Sequence, residues 1–173
     1  MNFACLRSLV VIACLSGSLS AQDMPLTQVL LPGEGWEQVT DGYKFTEGPA
    51  VDRQGNVFFT DIPNNRIHRI DARSGKVTIF AKNTSRTNGL MFGADGLLYG
   101  CRNGDQQIVS YAANGSLTVI AENIASNDLA VTSDRQLFVT DPAGGRVWHI
   151  SAKGKTRVVE GGKELCSVGC KHV

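Results

Sequence analysis

Three stretches of this chain can be laid over one another without a gap: "EGPAVDRQGNVFFTD" from Glu47, "NGLMFGADGLLYGCR" from Asn88 and "NDLAVTSDRQLFVTD" from Asn127. Their starts are 41 and 39 residues apart, and Ile67, Ile108 and Val147 keep the same spacing further on. "GKVTIF", "GSLTVI" and "GKTRVV" then close each unit. A period near 40 residues constrains the fold more than any single motif, because each unit must bury its faces against its neighbours. Within a unit, "PAVD", "VFFTD", "RIHRI" and "KVTIF" are short apolar runs broken by Gly, Asn, Asp and Pro, the pattern of four strands. "RQG", "ADG" and "SDR" fall in the first hairpin, where a positive φ is tolerated. Four strands per repeat predict an all-β chain made of β-propeller blades, about three of them present. Leucine-rich repeats are shorter and TPR or ankyrin units need helical periodicity, so a β-solenoid is the runner-up.

The blades account for residues 45–161. Before them, "MNFACLRSLVVIACLSGSLSA" has one early Arg, an apolar centre and small residues up to Ala21, which reads as a secretory signal over 1–21 and predicts a periplasmic or secreted protein. "VIAC", ending at Cys14, matches a lipoprotein site only in part, the apolar run after Arg7 being short. Residues 22–44 form a lead-in that could supply a blade-closing strand. After residue 161 the repeat breaks off. "GKELCSVGCKHV" shows no strand pattern, and over 162–173 the chain reads as a truncation or frameshift, with a genuine short variant as the alternative.

The 173 residues carry 17 basic and 16 acidic side chains, well mixed, so nothing attracts nucleic acid, and no membrane partner is expected once the signal is removed. Cys5 and Cys14 would leave with the signal. Cys101, Cys166 and Cys170 remain, an odd set with no Cys/His pair to complete a zinc site. No Gly-x-Ser-x-Gly elbow is present. The sequons at Asn83 and Asn114 read as ordinary loop residues.

In a propeller the first strand of each blade lines the central channel. Glu47, Asn88 and Asn127 open that strand in successive blades, so their oxygens are expected to face one axis. A lone carboxylate there would be poorly solvated unless a hard divalent cation met it, and oxygen-only donors favour Ca²⁺. The competing reading makes the two asparagines turn residues at the strand entry. Two positions earlier stand Phe45, Arg86 and Ala125. The fold therefore demands no cation there, which frees Arg86 to meet a polar ligand or to be a solvated surface residue.

With "TEGPAVD", "DIPNNRIHRID", "SRTNGL", "SNDLAV" and "FVTDPAGGRVW" in this order, the chain resembles the gluconolactonase family, which also holds the senescence marker proteins and luciferin-regenerating enzymes. The resemblance runs from about Trp36 to Val159. It implies a six-bladed propeller hydrolysing a sugar lactone, with a divalent cation polarising the carbonyl and activating water. It further implies that Glu47 and Asn127 are metal ligands and that Arg86 and Asn88 contact substrate. The family's later aspartate, ligand and candidate general base, has no counterpart here. Arg102 stands where relatives carry an acidic residue. A second class of function, a non-catalytic half-propeller that binds a ligand or pairs with another half, therefore stays open. An open array of three blades leaves unprotected edges, so a lone soluble monomer is expected to aggregate on heating. A sharp, reversible thermal transition at low concentration would contradict this.

Overall fold

A computed structural model describes residues 32–161, so the expected signal, Cys166, Cys170 and the tail over 162–173 lie outside the described residues. The chain divides into units 1–37 and 38–173. Of the first unit, 32–37 are described, an irregular run with a turn at Pro32–Gly33.

The second unit contains three four-stranded antiparallel sheets, each made of strands consecutive in sequence. Blade 1 is β1 (Thr46–Val51), β2 (Val57–Asp61), β3 (Arg66–Ile70) and β4 (Val77–Lys82). Blade 2 is β5 (Thr87–Phe92), β6 (Leu98–Arg102), β7 (Gln107–Tyr111) and β8 (Leu117–Glu122). Blade 3 is β9 (Leu129–Val131), β10 (Leu137–Asp141), β11 (Arg146–Ile150) and β12 (Thr156–Gly161). The strands fall where the repeat placed them. Residues 32–44, where the sequence allows a blade-closing strand, form none. Tyr43 instead lays its ring edge-on against Phe59 (5.0 Å) and His68 (4.9 Å) of blade 1.

Strand alternation gives every blade two faces. The forward face of blade 1 (Ala50, Phe58, Ile67, Ala81) packs on the rear face of blade 2 (Leu90, Leu98, Val109, Tyr111). Tyr99, Cys101, Ile108 and Ala121 repeat the arrangement between blade 2 and Val131, Leu137, Val139 and Ile150 of blade 3. Ile67 and Ile108 hold equivalent places in the two layers and are fully buried. Each contributes about 1.5–3 kcal/mol of burial. Cys101 occupies the position of Thr60 and Thr140, and burial pushes its thiol up to about 12. It is a core residue without thiolate chemistry.

The first hairpins turn at Gly55, Gly96 and Arg135, whose φ angles are 82°, 81° and 64°. The third blade thus asks an arginine to take a glycine conformation.

A shared irregularity shapes the inner strands. Pairing slips by one residue between Glu47 and Ala50 against Thr60 and Phe58. It slips in the same way between Thr87 and Leu90. In blade 3 Asn127 and Asp128 bond the backbone of Thr140 just ahead of β9. Each bulge lets neighbouring blades approach backbone to backbone. A Cβ on Gly48 would lie 2.5 Å from the Asn88 carbonyl oxygen, and one on Gly89 would lie 2.9 Å from that of Asn127. The Gly89 N–H already donates to that Asn127 oxygen at 2.9 Å. Gly89→Ala is expected to cost about 1–3 kcal/mol by overpacking. Chemical denaturation would check this.

Candidate active site

Both bulges and the Asn127–Asp128 turn present a residue of the same repeat position at the inner end of each blade. Asn88 and Asn127 meet directly: the Asn88 Nδ2 donates to the Asn127 Oδ1 at 2.5 Å. The Asn127 Nδ2 in turn donates to Asp128 Oδ2 at 3.2 Å. Glu47, one blade away, is tied to them through backbone, with Gly48 lying against Asn88. The Thr60 hydroxyl donates to the Glu47 carbonyl at 3.0 Å and fixes the strand there. Among the described residues the Glu47 carboxylate makes no hydrogen bond or ion pair.

Glu47 is exposed among the described residues rather than poorly solvated. The Asn127 Oδ1 accepts from the Asn88 amide, so that oxygen is engaged by its neighbour.

Arg86 sits on an unusual loop. Asn83, Ser85 and Arg86 take φ angles of 55°, 47° and 55°. Each such conformation costs a non-glycine residue roughly 1–2 kcal/mol. Side chains from elsewhere hold the loop: Asn65 Oδ1 accepts the Arg86 N–H at 2.6 Å, and the Ser85 hydroxyl donates to Asp105 Oδ1 at 2.7 Å. The Gly104 N–H donates to the Ser85 carbonyl at 2.8 Å. The guanidinium of Arg86 is exposed and has no polar partner among the described residues. The loop backbone is thus held on both sides while the Arg86 side chain stays free.

Asp128, Asn65 and Ser85 were not singled out from the sequence. For Asp128 a signal existed, since the aligned repeats place Gly48 and Gly89 at its position. Arg102 turns inward as a strut. It donates to the Asn83 carbonyl and Gln107 Oε1, each at 3.2 Å, and pairs with Asp105 at 3.0 Å.

Asp61 and Asp141 are buried at the ends of β2 and β10. Burial alone would push Asp141 up, but the Arg146 guanidinium, the Trp148 N–H and the Gly144 N–H outweigh it and hold the carboxyl below its ordinary value. Asp61 is likewise lowered, against burial, by Asn64 and the N–H groups of Phe45 and Lys44. Both are structural acceptors that pin a hairpin or the incoming chain.

The side chains at the inner ends of the blades, Glu47, Asn88, Asn127 and Asp128, offer oxygen donors and no nitrogen or sulfur ligand of His or Cys. No group of three or more His, Cys, Asp or Glu side chains is gathered among the described residues. Hard oxygen donors fit a hard divalent cation in kind. They would fill only part of the roughly six to eight positions Ca²⁺ takes.

The region model for SMP-30, gluconolactonase and LRE-like proteins matches residues 45–168. No curated protein sequence matches significantly. Among solved structures, a gluconolactonase from Xanthomonas campestris superposes with a TM-score of 0.66 at 22% identity, covering 71% of this chain and 50% of that one. A candidate gluconolactonase gives 0.63 at 21%, covering 70% and 50%. A virginiamycin B lyase from Staphylococcus aureus gives 0.60 at 18%, covering 68% and 41%. The chain thus spans about half the length of the gluconolactonase structures it resembles. Hydrolase and lyase neighbours at these identities share the architecture alone.

The aspartates set an acid limit. A carboxyl lowered in the folded state contributes fully above its ordinary pKa of 3.8 and loses that contribution as pH falls through the lower folded value. Denaturation midpoints should therefore drop as pH falls below that ordinary value. Asp141→Asn should flatten this drop while costing about 1–3 kcal/mol at neutral pH.

Proposed function

The chain belongs to the SMP-30/gluconolactonase/LRE-like family, and from that membership we propose that it is the site-bearing part of a secreted, metal-dependent sugar-lactone hydrolase. The observation that carries this reading is the Glu47 carboxylate, exposed and uncommitted, at the repeat position whose equivalents Asn88 and Asn127 are in contact. Glu47 and Asn127 would hold the cation, which Ca²⁺ suits best given oxygen donors. When bound, such a cation supplies Lewis-acid chemistry, polarising a carbonyl and lowering the pKa of water.

The remaining roles belong to this chain's own side chains. Arg86 offers a planar set of donors to a lactone's oxygens, held in place by a loop whose backbone is fixed from two other hairpins. Asn88 bridges the substrate side and the metal side, since its amide already orients Asn127. Asp128 fixes the opposite end of the Asn127 amide. A general base is left to the parts of the family fold beyond these three blades, which is why a second reading stands beside the first. That second reading is a non-catalytic module that binds a ligand or a partner.

Hydrolysis of an aldonolactone by the purified chain, followed by acid release, decides between them. Activity that Glu47→Ala lowers about 100-fold is expected from losing a few kcal/mol of charge stabilisation. Thermal stability should be unchanged by that substitution, because Glu47 is exposed and unpaired. A folded chain with no lactone turnover and no Ca²⁺ uptake by calorimetry would support the binding role instead.

A further inference from the structure

The strands that begin at Glu47 and Asn88 frame a second space at their far ends. Glu47 opens β1 and Val51 closes it, which puts the first hairpin roughly 13 Å along the strand from the carboxylate. There a cavity of about 930 Å³ lies between blades 1 and 2. Both of its walls are complete blades with all four strands. Blade 1 supplies Phe58, Phe80, Arg53 and Arg69, and blade 2 supplies Phe92 and Tyr111. The hairpins of blade 2 contribute Gly93, Ala94, Gly96, Ala112 and Ala113, which are too small to fill the space. Its volume falls within the roughly 300–1,000 Å³ of small-molecule sites.

The repeat shows which of these side chains the fold itself requires. At the next junction, between blades 2 and 3, Tyr99, Ile120, Val131 and Ile150 hold the places of Phe58, Phe80, Phe92 and Tyr111. Ala94 and Ser110 hold those of Arg53 and Arg69. That junction packs into a core with neither guanidinium and with one aromatic ring in place of four. Its opposite wall carries Thr132, Ser133, Arg135 and Lys153 where the cavity has Gly93, Ala94, Gly96 and Asn114. Contact between blades therefore demands neither the two cations, nor the extra rings, nor the small hairpin residues.

The rings and charges are also arranged for use. Phe58 is buried with its ring edge-on to Phe80 at 5.0 Å and to Phe92 at 5.1 Å. Phe80 and Phe92 line the cavity and are only half-buried. Arg53 reaches across the opening, its Nη2 donating to the Ala94 carbonyl. Arg69 pairs through Nη2 with Asp71 at 3.3 Å. The other N–H groups of both guanidiniums have no partner among the described residues. Asp52 is the acidic residue of the lining, and its own hairpin occupies it. Its Oδ1 accepts the N–H groups of Gln54 and Asn56, and its Oδ2 accepts the Asn56 amide.

We propose that this cleft binds a planar aromatic carboxylate, its ring against Phe80 and Phe92 and its carboxylate at the rim formed by Arg53 and Arg69. Aromatic rings pack edge-on or offset against one another, and half-buried rings leave surface for one more. A guanidinium fork matches the two oxygens of a carboxylate and stacks on rings as an ammonium does not. The site is separate from Glu47 and Arg86 and stands whether or not the lactone reading holds.

Calorimetric titration of the full chain with naphthoate tests it. One site per chain is expected, with the neutral naphthamide binding at least tenfold more weakly. Arg53→Gln and Arg69→Gln should each weaken naphthoate binding about tenfold or more, the loss of a charge-assisted hydrogen bond. Ala113→Trp, at an exposed position on the cleft wall, should abolish binding while leaving both arginines and the Arg53 bridge in place. Arg86→Gln should leave it unchanged. Circular dichroism confirms that each variant is folded. No binding at millimolar naphthoate, equal binding of the amide, insensitivity to all three cleft variants, or loss in Arg86→Gln would overturn the proposal.

Discussion

The close approach of backbone at the inner ends of the blades governs everything else in this structure. Gly48 lies on the carbonyl of Asn88, and Gly89 lies on the carbonyl of Asn127. Side chains at those two positions would push the blades apart at their narrowest point. Because they are absent, each blade can bring its inner strand against the next, and the wider outer strands splay. The same bulges that permit the approach turn Glu47 and Asn88 out of the strand register, with Asn127 matched by its own turn. Packing constraint and site are thus one feature of the backbone.

Around that line the chain spends its polar groups in two ways. Buried carboxyls and hydroxyls, such as Asp61, Asp141 and Thr60, are satisfied by the hairpins they hold. The exposed groups Glu47 and Arg86 have no partners among the described residues, although Arg86 sits on a loop whose geometry is enforced by Asn65, Asp105 and Gly104.

Burial differs between the two ends of the described array. Tyr43 partly covers the rear of blade 1, resting on Phe59 and His68. Among the described residues the forward face of blade 3 has no such cover, and Phe138 is 39% exposed. Hydrophobic burial in a repeat array comes from neighbours, so its terminal units depend on what meets them.

The repeat period, the strand positions and the shared place of Glu47, Asn88 and Asn127 were all legible in the sequence, since four apolar runs per 40 residues leave few alternatives. The state of each group was not legible. Only the assembled blades show that Glu47 is solvated, that Asn127 is turned onto Asn88, and that Arg102 is a strut. The conformation of the Arg86 loop likewise depends on Asn65 and Asp105, 21 residues before it and 19 after. Those outcomes depend on which surfaces meet across blades, and a periodic pattern specifies that units repeat without specifying which side chains their contacts leave free.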